Sequence, residues 1–99
     1  MMGVEVTDLR FEPGAPLIVY RSSDWAERIS CARCGGGLAY RMVDGSFTHV
    51  PLGVFDPPLD LPLASEIFID QKPAGYAFAG ETRKMTGAEV AAAFAGKEA

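Results

Sequence analysis

The sequence predicts a mainly β domain of antiparallel sheets that ends in one short C-terminal helix. Three observations carry this expectation. Eleven Gly and seven Pro among 99 residues cut the chain into short segments. Those segments hold β-branched and aromatic residues without helical periodicity, and only the last stretch has its apolar residues at helical spacing.

Residues 4–11 read as a first strand whose alternation slips around Asp8. Glu12-Pro13-Gly14-Ala15-Pro16 then turns the chain into Leu17-Ile18-Val19-Tyr20, and a hairpin is the simplest pairing of the two. Arg21-Ser22-Ser23-Asp24 is a polar corner, after which residues 25–30 lead into Cys31-Ala32-Arg33-Cys34-Gly35-Gly36-Gly37. Residues 38–43 leave that turn as a strand. Asp44-Gly45 is the strongest two-residue hairpin signal in the chain and joins this strand to residues 46–50 as an antiparallel pair.

Residues 56–62 contain three prolines and read as a surface crossing. Glu66-Ile67-Phe68-Ile69-Asp70 follows as a short, buried strand bounded by Lys72-Pro73, and residues 75–78 add a brief extended piece. Thr86-Gly87-Ala88-Glu89 has the form of a capping box, in which the Thr hydroxyl and the Glu carboxylate each accept a backbone N–H. Val90 and Phe94 then share one helical face, and Gly96 stands where a C′ glycine ends a helix. So short a helix is unstable alone, so Val90 and Phe94 are expected to dock on the sheet. No repeat or linker divides the chain, and residues 1–99 read as a single domain.

Nine Lys and Arg against thirteen Asp and Glu give a net charge of −4, which offers no cationic surface to a phosphate backbone. Nucleic acid is excluded as an expected partner. No apolar run reaches the ~18 residues that a membrane helix needs. Met1-Met2-Gly3-Val4-Glu5 lacks a basic segment leading into an apolar one. The expected compartment is the cytoplasm, with no membrane partner. No G-x-S-x-G, Walker loop, H-E-x-x-H or G-x-G-x-x-G is present.

Chemistry concentrates at Cys31 and Cys34. Two thiols on one tight turn can both point at a single Zn²⁺, and a glycine after the second lets the backbone take φ > 0 and aim N–H groups at the sulfurs. This motif supplies half of a four-coordinate site, and two Cys with one His cannot fill such a site alone. Free thiols, a redox dithiol and a knuckle without metal remain open on the motif itself. The flanking strands and three glycines do not match the strand-to-helix context of a thioredoxin-like dithiol. Arg28 and Arg33 are expected to lower the thiol pKa under every reading. His49 is a candidate third ligand, although a single His on a strand is more often structural. Asp24, Asp56, Asp60, Glu66 and Asp70 form no evident acid/base pair and read as solvated surface.

Several segments, in order, resemble one known family. They are Gly14-Ala15-Pro16-Leu17-Ile18-Val19-Tyr20-Arg21-Ser22-Ser23, Arg28-Ile29-Ser30-Cys31-Ala32-Arg33-Cys34-Gly35, Leu52-Gly53-Val54-Phe55-Asp56-Pro57-Pro58, Glu66-Ile67-Phe68-Ile69-Asp70-Gln71-Lys72-Pro73 with Tyr76, and Arg83-Lys84-Met85-Thr86-Gly87-Ala88-Glu89-Val90. The series is similar to the glutathione-dependent formaldehyde-activating enzyme family, which includes centromere protein V-like proteins. The resemblance implies a zinc-containing β-tent fold and a carbon-sulfur lyase type of reaction, in which formaldehyde adds to the thiol of glutathione. It makes Cys31 and Cys34 the second ligand pair of the family's structural zinc, and Trp25, Tyr40, Phe55 and Phe68 core or pocket-wall residues.

The family's C-x-C and C-x-C-x-x-C segments, which hold the remaining structural ligands and the catalytic zinc, have no counterpart in this sequence. The chain reads as an N-terminally shortened relative with no residue matching the catalytic site. Zinc is then completed by the same two cysteines of a second copy in a homodimer, by His49 and a carboxylate within the chain, or is not bound. A non-catalytic zinc-binding or interaction module of the same fold is the alternative function.

Overall fold

A computed structural model describes residues 2–98, which belong to two compact units, Met1–Asp60 and Leu61–Ala99. The first unit is one antiparallel sheet of five strands: β1 (Gly3–Glu5), β2 (Leu17–Arg21), β3 (Ala26–Cys31), β4 (Gly37–Met42) and β5 (Thr48–Pro51). Their order across the sheet is β1-β5-β4-β3-β2. The mainly β expectation holds, as does the antiparallel character of this sheet.

Strands β2 to β5 form a meander, and β1 adds beyond β5 in the register Gly3↔Pro51, Val4↔Val50, Glu5↔His49. The expected hairpin between the first two strands is therefore wrong, because β1 and β2 occupy opposite edges. Gly3 explains the choice of neighbour. A Cβ at this position would fall on the Val50 carbonyl oxygen and 2.7 Å from His49 Cε1, so only glycine permits the approach. Val4 then sits opposite the buried Val50, and the Val6 N–H donates to the Thr48 carbonyl at 2.9 Å.

The register sorts the side chains by face. Ile29 lies opposite Ala39, and Val50 falls on the same side through the Arg41↔Thr48 pair; all three are buried. This face also carries the cross-strand pair Arg41 Nε to Glu27 Oε1 at 2.5 Å. The other face bears one transverse row, Tyr20↔Arg28↔Tyr40↔His49↔Glu5, that crosses all five strands. Within it the Arg28 guanidinium lies 5.2 Å from the centre of the Tyr40 ring.

The β4–β5 hairpin forms where expected, but its turn differs. Met42 N–H donates to the Phe47 carbonyl, so residues 43–46 make a four-residue loop rather than a two-residue one. A type I′ turn needs φ > 0 at both central positions, and only Gly45 (φ 80) has it. Asp44 instead accepts the Ser46 N–H on Oδ1 at 2.9 Å, and the Val43 N–H is taken by the Trp25 carbonyl beside β3.

The second unit holds β6 (Ser65–Ile67), β7 (Arg83–Met85) and α1 (Gly87–Glu98). Here β6 and β7 pair in parallel, against the expectation of antiparallel sheets throughout. The expected strand over residues 66–70 stops at Ile67. Phe68 turns to φ 55 and a 3-10 turn, Ile69–Gln71, follows. That segment is also not buried, with Ile67 56% and Phe68 42% exposed. Residues 75–78 form no strand; the Tyr76 and Phe78 rings meet edge to face at 5.9 Å.

The capping box closes as predicted. Thr86 Oγ1 accepts the Glu89 N–H at 3.2 Å while Glu89 Oε1 accepts the Thr86 N–H at 3.0 Å. Asp70 Oδ1 adds a third acceptor, for the Gly87 N–H at 2.9 Å. The helix packs on β7 and the 3-10 turn, with Val90 buried. It runs through Gly96 to Glu98, so the expected glycine stop does not operate.

Candidate metal-binding knuckle

The knuckle is the turn between β3 and β4, and its backbone shapes it before any side chain does. The Cys31 N–H donates to the Gly36 carbonyl at 2.9 Å and the Gly35 N–H returns to the Cys31 carbonyl at 2.8 Å. This closure needs a left-handed residue, which Gly35 supplies with φ 76. From β2's side, the Pro16 carbonyl accepts the Ala32 N–H at 2.8 Å and anchors the turn against the sheet edge. Proline has no N–H to donate there, but its carbonyl serves.

Two backbone N–H groups then face sulfur. Arg33 N–H donates to Cys31 Sγ and Gly36 N–H donates to Cys34 Sγ, each at 3.4 Å. No disulfide joins the two cysteines; Cys31 is half-buried and Cys34 exposed. The Cys31 thiol is held below its ordinary pKa. The N–H groups of Cys34 and Arg33 do most of this, the Cys34 thiol donates a further bond, and the Arg33 charge helps least, against a small opposing cost of burial. Arg28 plays no part, contrary to expectation, because its guanidinium lies over Tyr40. The turn thus favours the thiolate of Cys31, and a thiolate is the form that binds soft metals or attacks electrophiles.

The donor set fits half of a four-coordinate zinc site. Among the described residues, no group of three or more His, Cys, Asp or Glu is placed to hold a metal ion. His49 belongs to the transverse row of the sheet, between Tyr40 and Glu5, and stacks on Phe47 at 6.2 Å between centroids. Burial pushes its pKa down. Glu66 is tied to Thr82 Oγ1 at 2.5 Å and lies 3.9 Å from Lys84 Nζ, and Asp70 caps the helix. These two carboxylates are thus engaged in structure.

The aromatic candidates separate. Tyr40 and Phe55 are half-buried, Phe68 is exposed, and Trp25 is 62% exposed at the corner before β3. Trp25 lines an open pocket of about 320 Å³ with Asp24, Val43 and Asp44. Sequence reasoning missed two things, the backbone donors at Arg33 and Gly36 individually and the transverse row. The first is foreshadowed by Gly35, while the second depends on strand order.

Comparison with known proteins gives one relevant match. The chain is similar to a lyase. It is 33% identical over 72 residues to an uncharacterized lyase of Schizosaccharomyces pombe, covering 72% of this chain and 53% of the yeast protein. The chain thus spans about half the length of the curated relative it matches. No family model matches the chain, and no solved structure matches it. Among the described residues, no helix is long and apolar enough to cross a membrane.

Proposed function

We propose that Cys31 and Cys34 bind zinc as half of a four-thiolate site completed by the same pair from a second copy, in a protein of the glutathione-dependent formaldehyde-activating type. The observation that carries this reading is the knuckle itself, with Gly35 left-handed and an N–H on each sulfur. The lyase relative supports the reaction class. Zinc, when bound, holds the two thiolates and braces the two chains. The substrate pair is formaldehyde and a small thiol such as glutathione, in the reducing cytoplasm where free thiols persist. In that reaction the thiol sulfur bonds to the formaldehyde carbon, the carbonyl π bond breaks, and the thiol proton ends on the new hydroxyl. The chain's own part is the knuckle's scaffold; no residue is assigned to the bond-forming step.

A second reading, a non-catalytic zinc-binding or interaction module, is favoured by one specific observation. Among the described residues the cysteine pair has no third metal-capable side chain beside it, so nothing there adds an open catalytic position.

One set of measurements separates these. Zinc measured against protein across a gel-filtration peak should give about half an ion per chain in a dimer. A folded, metal-free monomer overturns the zinc reading. Consumption of formaldehyde with glutathione above the spontaneous rate, lost in Cys31→Ala while circular dichroism is unchanged, supports the lyase. Zinc retained without such activity selects the module.

A further inference from the structure

We propose that the pocket beside Trp25 binds a small organic cation, an alkylammonium group, at a site separate from the cysteine knuckle. The pocket lies where the corner before β3 meets the loop after β4. The knuckle lies at the other end of both strands, a strand length of roughly 20 Å away. It is lined by Asp24, Trp25, Val43 and Asp44 and measures about 320 Å³, the small end of the range for small-molecule sites.

Its chemistry has one sign. The indole face carries negative quadrupole charge, which attracts cations at roughly 6 Å or less. Two carboxylates flank it and no basic side chain lines it, so an anion is repelled and a neutral ligand gains only the indole and Val43. Asp44 remains ionised because Ser46 hydrogen-bonds its carboxylate. Arg21 stands at the same corner, its Nε and Nη2 donating to the carbonyls of Ser23 and Asp24 at 3.2 and 3.1 Å, and this one guanidinium leaves the two lining carboxylates in excess.

The walls are also held in place. The Val43 N–H to Trp25 carbonyl bond at 2.8 Å joins the two sides of the pocket, and the Ser23 N–H to Ala26 carbonyl bond closes the corner. Trp25 is exposed in spite of this scaffold. Large apolar surface presented on a fixed turn, with two acidic residues in its lining, suits a ligand that is itself part apolar and part charged. An alkylammonium group has that composition.

Trp25 is the chain's one tryptophan, so its emission reads the pocket directly. Tetramethylammonium chloride titrated into the full chain at constant ionic strength should change that emission saturably. tert-Butyl alcohol, nearly the same shape without the charge, should not. In Asp24→Asn/Asp44→Asn the midpoint should rise by roughly threefold to tenfold. Asp24→Asn alone leaves the Asp44–Ser46 turn intact and takes the place of the double variant where that one does not fold. A response that never saturates, equal saturation by the alcohol, or an unchanged midpoint in a folded variant overturns the proposal.

Discussion

Gly35→Ala isolates what the knuckle backbone contributes. At φ 76 a Cβ costs about 1–2 kcal/mol in left-handed strain. No heavy atom lies within 4 Å of that Cβ, so no clash adds to it. Alanine also narrows the unfolded ensemble, which returns roughly 0.4–1 kcal/mol. The net loss is about 1 kcal/mol, and with a urea slope of ~1 kcal/mol/M for a chain this size the midpoint falls by about 1 M. Trp25 lies in the first unit with the knuckle, so its fluorescence follows the relevant transition. Gly14→Ala is the control, since Gly14 has φ 81 and equally open space but no sulfur in its turn. Both variants should lose similar stability with chelator present. Only Gly35→Ala should also lose zinc affinity, because relaxing φ35 draws the Gly36 N–H off Cys34 Sγ. Equal zinc affinity in the two variants, or an unshifted midpoint for Gly35→Ala, refutes the claim that the left-handed residue builds the site.

Gly3→Ala should destabilise by about 1–3 kcal/mol in the same urea assay, since its Cβ meets backbone at Val50 rather than a side chain that can move. Hydrogen exchange should show protection lost at Val4 and Val6 first. Thr86→Ala removes one arm of the capping box and should cost about 1 kcal/mol, visible as lost helical circular dichroism on mild heating. His49 has a pKa lowered by burial, so the folded state favours the neutral ring. Its contribution to stability is full above the unfolded value of 6.5 and is lost as pH falls through the lower folded value. The stability of His49→Gln should therefore decline less than that of the parent between about pH 7 and 5; parallel curves would remove the residue from that slope.

Local signals in the sequence were the ones that transferred to the structure. Thr86 and Glu89 are three apart, and their two hydrogen bonds need nothing beyond the first helical turn. Gly35 follows Cys34 directly, and the turn it permits is closed by bonds spanning no more than five residues. The errors came from pairing over distance. Residues 4–11 could have folded back on β2, and what decided otherwise was the space at Gly3 against Val50, far away in sequence. Asp44-Gly45 marks the right place for a hairpin, but the Val43 N–H is taken by the Trp25 carbonyl beside β3 and the connection is a four-residue loop. Phe68 looked like strand because it is aromatic and flanked by isoleucines, and its left-handed φ is not expected for that residue type. Arg28 stood close enough to the cysteines in sequence to suggest an effect on them, yet strand alternation carries it to Tyr40.

The two ways in which this chain could meet a second copy are not interchangeable. Strand β2 is an edge strand whose Ile18, Val19 and Tyr20 are each more than half exposed, so antiparallel pairing of β2 with itself would be a natural dimer contact. Full overlap of its five residues puts the two-fold axis at Val19 and sets Ile18 against the partner's Tyr20, a favourable aromatic and β-branched pair. The same axis separates the two Leu17 positions by four residues of strand, about 13 Å. Leu17 sits opposite Cys31, so the two knuckles move to opposite ends of the contact. Four sulfurs on one zinc must lie within about 4 Å of each other, because each Zn–S bond is only ~2.3 Å. A shared four-thiolate site therefore requires an axis at the knuckle and leaves most of β2 unpaired, whereas a β2 dimer leaves each cysteine pair on its own. Stoichiometry of zinc and state of association thus report on the same choice: half an ion per chain excludes the fully overlapped β2 dimer, and a dimer that survives chelation excludes zinc as its only link.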